Sequence, residues 1–132
     1  MIIISRRLVT LLGWFRGHSK SAIAVTVFPF IIVRSQEELF PWLLVHERIH
    51  IRQQIELLLI GALLLFVVET IYARCVLGLS KRESYLYFSL EQEAYRNQHD
   101  PNYLKNRKPF SVFYYIYNKR KFSHKDGIVT YL

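Results

Sequence analysis

The chain has 132 residues, 52% of them hydrophobic, enough for one domain with a sizeable core. Eighteen Lys and Arg against ten Asp and Glu give a net charge of +8, which suits an anionic partner surface: phospholipid, nucleic acid or an acidic protein. The single cysteine, Cys75, excludes an intrachain disulfide and a thiolate metal site, and there is no glycine-rich phosphate loop, repeat or low-complexity tract.

Arg6 and Arg7 precede a short apolar run at 8–15, and Arg16, His18 and Lys20 follow at once. The leading Ile2, Ile3 and Ile4 are themselves apolar, so this region reads as a retained amphipathic or interfacial helix and not as a cleaved signal. Residues 22–33 (AIAVTVFPFIIV) are rich in β-branched and aromatic side chains and read as a strand. Pro29 has no amide hydrogen, which puts that strand at a sheet edge or gives it a bulge. Ser35 and Glu38 then form a capping-box pattern, and Pro41 suits the first turn of a helix. Two readings compete: a short turn at 35–39 followed by a helix from Pro41, or one helix bent at Pro41.

His46-Glu47-Arg48-Ile49-His50 falls early in that helix, a HExxH pattern. Four residues make slightly more than one turn, so both imidazoles leave the same face, near enough to share one metal ion. Glu47 lies about 100° round the helix, beside the metal, where a general base for a metal-bound water belongs. Gln53, Gln54, Leu57 and Gly61 continue the histidine face. Arg48 and Arg52 occupy the other side, with Glu56 spaced to pair with Arg52.

Residues 57–68 carry no charge, and the wider window 55–77 would reach about 34 Å as helix, enough for a bilayer core. Glu56, Glu69 and Arg74 interrupt it, so the alternatives are a membrane-contacting helix over 55–77 and the core helix of a soluble protein. Cys75, within this segment, is read as a packing residue. Residues 81–98 hold helix formers without Gly or Pro. Within them, Glu91-Gln92-Glu93-Ala94-Tyr95 offers the third ligand that a zinc site with an open position for water needs. Glu91 and Glu93 point to different helix faces, so only one of them fits that role.

Seven of the eighteen basic residues fall within 105–125, among Phe110, Phe113, Tyr114 and Tyr117 at helical spacing. Such a mixture is attracted to an anionic membrane–water interface. Nucleic acid is the less favoured partner, because no nucleic-acid motif accompanies the charges. The opposing expectation is that the aromatic stripe packs inward and the lysines are merely solvated. His124-Lys125-Asp126-Gly127 reads as a turn into a final strand at 128–132.

HExxH followed by E-x-x-A on a second helix resembles the gluzincin branch of the zinc metallopeptidases. In that family the first glutamate is the third ligand, and an aspartate four residues later supports a histidine. The resemblance therefore implies Zn²⁺ held by His46, His50 and Glu91, with Tyr95 standing at the aspartate position. The chain is also similar to a group of short bacterial proteins with H-E-R-I-H-x-R-Q-Q, E-x-E-A-Y and N-Y-L-K-x-R-K, matched here by 46–54, 91–95 and 102–108. That likeness implies a peptidase and names no substrate. The fold expected from these likenesses is α+β: a single, mainly helical zincin-like domain over 1–132, with a small N-terminal β element and a HExxH active-site helix.

The expected reaction is hydrolysis of a peptide or protein substrate by a zinc-bound water, with Glu47 as general base. Tyr85, Tyr95 and His99 are the candidate donors to the oxyanion, and residues 22–33 would align the substrate as an edge strand. The expected location is the cytoplasmic membrane, with a soluble cytoplasmic protein as the alternative, and a partner chain could complete so small a site. The alternative function is a non-catalytic, membrane-associated interaction or assembly protein that retains a zinc site. A basic membrane- or nucleic-acid-binding module with an accidental motif stands third.

Overall fold

The computed structural model describes residues 1–15, 22–125 and 128–131, and it is a mixed α+β structure. β1 (Ile2–Ile4), α1 (Arg6–Phe15), β2 (Ala24–Val27) and β3 (Phe30–Val33) come first. β3 is the central strand, parallel to β1 on one side and antiparallel to β2 on the other. The single strand expected over 22–33 is therefore a hairpin. Pro29 sits in its turn, after a cis Phe28–Pro29 bond, where a missing amide hydrogen removes no ladder bond.

α2 (Pro41–Glu56) follows a 3₁₀ turn, Gln36–Glu38. Pro41 takes the first helical position, and Ser35 makes no side-chain cap, so the turn and the helix are separate elements. The two faces of β3 serve two layers, as period-two alternation dictates. Ile32 packs with Val9 of α1 and Val25, while Ile31 and Val33 pack with Leu43 of α2. Burying each such Val, Ile or Leu stabilises by about 1.5–3 kcal/mol. Gln54 then pins α2 to the hairpin, accepting from the Phe28 amide at 2.7 Å and donating to the Thr26 carbonyl at 2.9 Å.

The apolar window breaks at its start. Leu58 has φ 49°, in the left-handed region, and separates α2 from α3 (Leu58–Ile71). A π-helical turn, Tyr72–Val76, extends α3, and Gly78 with φ 67° ends the run. The 19 residues Leu58–Val76 are long and apolar enough to cross a membrane, and only 11% of that stretch is buried. Cys75 is exposed, which corrects its reading as a packing residue.

The helix expected over 81–98 is two helices. Ser80 and Glu83 form a reciprocal capping box at the start of α4 (Lys81–Tyr87), and Phe88 at ψ 131° separates it from α5 (Ser89–Asn97). Phe88 leaves the helical region because its ring is buried with Ala62, Leu90 and Val112. Glu69 of α3 caps α5 in trans, accepting from the Ser89 amide at 2.9 Å and its hydroxyl at 2.6 Å. Lys119 completes that cluster, 2.6 Å from Glu69; burial pushes its ammonium below the ordinary value, and Glu69 opposes the shift.

α6 (Tyr103–Asn106), α7 (Val112–Tyr117) and the antiparallel pair β4 (Phe122–Lys125) and β5 (Ile128–Tyr131) complete the chain. Phe110 precedes α7, and Phe110, Phe113, Tyr114 and Tyr117 are all exposed, so the aromatic stripe does not pack inward. Glu56 pairs with Arg107 instead of the expected Arg52. The expectations that involve Arg16, His18, Lys20, Asp126, Gly127 and Leu132 lie outside the described residues.

Leu58 is 75% exposed, so replacing it loses little burial and relieves a left-handed leucine. Leu58→Gly should raise stability by about 1 kcal/mol, read as a higher denaturant midpoint at unchanged slope. A lower midpoint would show that the turn is not strained.

Candidate metal centre

α2 and α5 lie against each other, and between them sits a layer of polar side chains. His46, His50 and Gln53 come from α2, and Glu91 and Glu93 from α5; all are buried, as is Glu47 beside them. His46 and His50, one turn apart, bring their Nε2 atoms to 3.1 Å. The Glu91 carboxylate, fully buried, lies 3.4 Å from His46 Nε2 and 3.3 Å from His50 Nε2. One ligand atom from each of the three residues falls within 4.8 Å of the others. HExxH spacing thus does in the folded chain what its geometry requires.

A glutamine stands behind each ring. His50 Nδ1 meets Gln53 Oε1 at 2.8 Å, and His46 Nδ1 meets Gln98 Oε1 at 2.9 Å. Gln53 cannot be turned round, because its Nε2 donates to the Leu90 carbonyl at 3.1 Å and to Glu93 at 2.9 Å. His50 Nδ1 therefore carries hydrogen and donates to Gln53, and the Nε2 atoms of both rings face the Glu91 carboxylate. Two imidazoles and a carboxylate that converge on one buried point suit a positive charge between them. One proton can bridge two of them, whereas a cation satisfies all three. The residues fit a metal ion, and supporting hydrogen bonds of this kind are what orient metal-bound imidazoles.

Glu91 and Glu93 differ in direction, and only Glu91 joins the histidine cluster. Glu93 turns away from the histidines and is held by Arg107, by the Tyr103 hydroxyl at 3.0 Å and by Gln53. Arg107 also grips Glu56. Burial works against the Arg107 charge, but hydrogen bonds to Glu56 and Glu93 outweigh it and hold the guanidinium above its ordinary range. Burial first, and then the neighbouring Glu93, raise the Tyr103 phenol well above its usual value.

Glu47 faces a cavity of about 420 Å³ lined by β2 residues Ala24 and Val25, by His46, and by Tyr85, Tyr95 and His99. Its carboxylate accepts from the Thr26 hydroxyl at 2.5 Å. Tyr95 stands edge-on to the His46 ring at 4.7 Å, so the support expected at that position comes from Gln98 instead. His99 reaches His46 only through Gln98, whose Nε2 lies 3.1 Å from His99 Nε2. Tyr131 of β5 lies beside Tyr95, ring centroids 6.2 Å apart, its hydroxyl donating to the Leu86 carbonyl at 2.9 Å. Burial and the nearby Glu91 and Tyr95 raise that phenol well above its ordinary value.

Sequence reasoning missed Thr26, Gln98 and Arg107. Gln98 carries a legible signal, being two helical turns beyond Glu91 and so in line with it. Thr26 and Arg107 reach the site through tertiary contacts alone. No family model, curated protein or solved structure matches the chain, so its site is read from its own geometry.

Glu91→Ala should abolish binding of a divalent ion, whereas Glu93→Ala should keep it at saturating metal while losing about 1–3 kcal/mol of stability, because Gln53, Tyr103 and Arg107 each lose a buried partner. Elemental analysis and chemical unfolding of both variants check this. Metal retained by Glu91→Ala would remove that residue from the ligand set.

Proposed function

We propose that this chain is a zinc-dependent metallopeptidase of gluzincin type that works at the cytoplasmic membrane. The observation that carries the proposal is the convergence of His46, His50 and Glu91 beside a buried Glu47 on the wall of an open cavity. Two imidazoles and one carboxylate are a donor set suited to zinc, and three protein ligands leave a position for water. Bound there, zinc would polarise a scissile carbonyl and lower the pKa of water to about 7.

The remaining work falls to the chain's own residues. Glu47, oriented by Thr26, takes the proton of the attacking water and returns it to the leaving amine. Tyr95, Tyr85 and His99 line the cavity and supply donors for the charge that develops on the carbonyl oxygen. β2 is the outer strand of its sheet, and among the described residues no further strand pairs with it, although Gln54 takes its Thr26 carbonyl. An extended peptide laid along that edge has its backbone groups satisfied and passes beside Glu47.

The membrane part of the reading draws on exposure. A core helix of a soluble protein would be mostly buried, and Leu58–Val76 is not.

Glu47→Gln preserves shape and removes the base. It should retain zinc and lower the hydrolysis rate of a fluorogenic peptide library by about 10²–10⁴-fold. A chelator should silence the native chain, with activity restored by zinc. Undiminished hydrolysis by the zinc-loaded glutamine variant would remove Glu47 from the role of base. A zinc-loaded native chain that cleaves nothing in the library would favour the non-catalytic alternative.

A further inference from the structure

Leu58–Val76 has two faces of different chemistry. Ala62, Leu65, Phe66, Glu69 and Ala73 share a helical stripe turned inward. Ala62, with Leu65 and Phe66, meets Phe88, Leu90 and Val112, while Glu69 binds Ser89 and Lys119. Ile60, Leu63, Leu64, Val67, Val68 and Ile71 form the outer face, all exposed. The exposed aromatics Phe113, Tyr114 and Tyr117 stand on α7, whose buried Val112 shares a core with Ala62.

As helix the segment is about 28 Å long, close to the thickness of a bilayer core. Spanning would nevertheless drag the wrong groups inside. Glu69 lies just past the midpoint of the segment, and Lys119 and the non-helical chain at 118–121 sit against it. Arg120 and Lys121 are exposed in that chain. A crossing helix would carry these charges, and irregular backbone with them, into hydrocarbon, where neither is tolerated next to lipid.

We propose that Leu58–Val76 lies in the membrane surface without crossing it, docking the chain as a monotopic protein on an anionic phospholipid leaflet. This rests on the membrane reading above and is independent of the metal. The outer face of α3 sinks into the acyl boundary, and the α7 aromatics sit at headgroup depth. The exposed Lys105, Lys108, Arg120 and Lys121 and the net charge of +8 complement anionic headgroups. Arg74, near the end of the segment, has the reach to snorkel to the same surface.

The test uses the full chain in cells, with Cys75→Ala as background and a single new cysteine from Arg52→Cys or Lys81→Cys. These exposed positions flank the segment on either side. A membrane-impermeant maleimide is applied to sealed right-side-out and inside-out membrane vesicles. Both cysteines should label from the same side. Labelling from opposite sides would overturn the proposal in favour of a spanning helix. Recovery in the soluble fraction, as monomer or as a dimer joined through the apolar face, would overturn it too. Leu63→Glu with Val67→Glu should abolish flotation with phosphatidylglycerol vesicles, and flotation equal to the native chain would count against the α3 face. Zinc content measured on the same samples reports on the peptidase reading separately, so either can fail alone.

Discussion

Two imidazoles and a carboxylate brought together between two helices are the constraint around which this structure is built. The two Nε2 atoms and the Glu91 carboxylate lie within 3.4 Å of one another, and much of the chain's buried polar chemistry holds them there. Gln53 and Gln98 fix the rings from behind, and Glu93, Arg107 and Tyr103 fix Gln53 in turn. A half-satisfied network of this kind would be worse than an apolar core, because each stranded group pays its full desolvation cost. The arrangement makes physical sense as a receptacle for a cation.

That choice shapes the packing. The layer between α2 and α5 is polar, so the apolar cores lie to its sides: one on each face of the N-terminal sheet and one under α3. α2 belongs to both regimes, with Leu43 in an apolar cluster and His46, His50 and Gln53 in the polar layer. Its one-turn periodicity hides this, since buried positions need not be apolar ones. Gln54 and Thr26 then carry the register of the hairpin to the helix, which is how β2 comes to lie beside Glu47.

The sequence made the local parts of this legible and the tertiary parts not. HExxH spacing, the N-terminal β element, the helix start at Pro41 and the exposed aromatic spacing around α7 are all local patterns, and each appears in the folded chain. The division of 81–98 at Phe88 was hidden because nothing nearby breaks a helix; burial of one ring against Ala62 and Val112 does it. Periodicity separated Glu91 from Glu93 without ranking them, and the ranking comes from Arg107, which is distant in sequence. The same distance explains why Glu56 was matched to Arg52, its helical neighbour, when a buried bidentate partner outcompetes an exposed one.

His50 and Glu91 sit on either side of α3 and α4 in the chain, yet their side chains touch. An ion between them would act as a clasp on a long loop that contains the whole of α3. Closing such a loop removes conformations from the unfolded chain, and the gain grows with the length enclosed. Metal loading and the seating of α3 against the domain are thereby joined in one topological ring. An apolar helix released from that ring would bare its inner face as well, so an ion bound there would guard against aggregation.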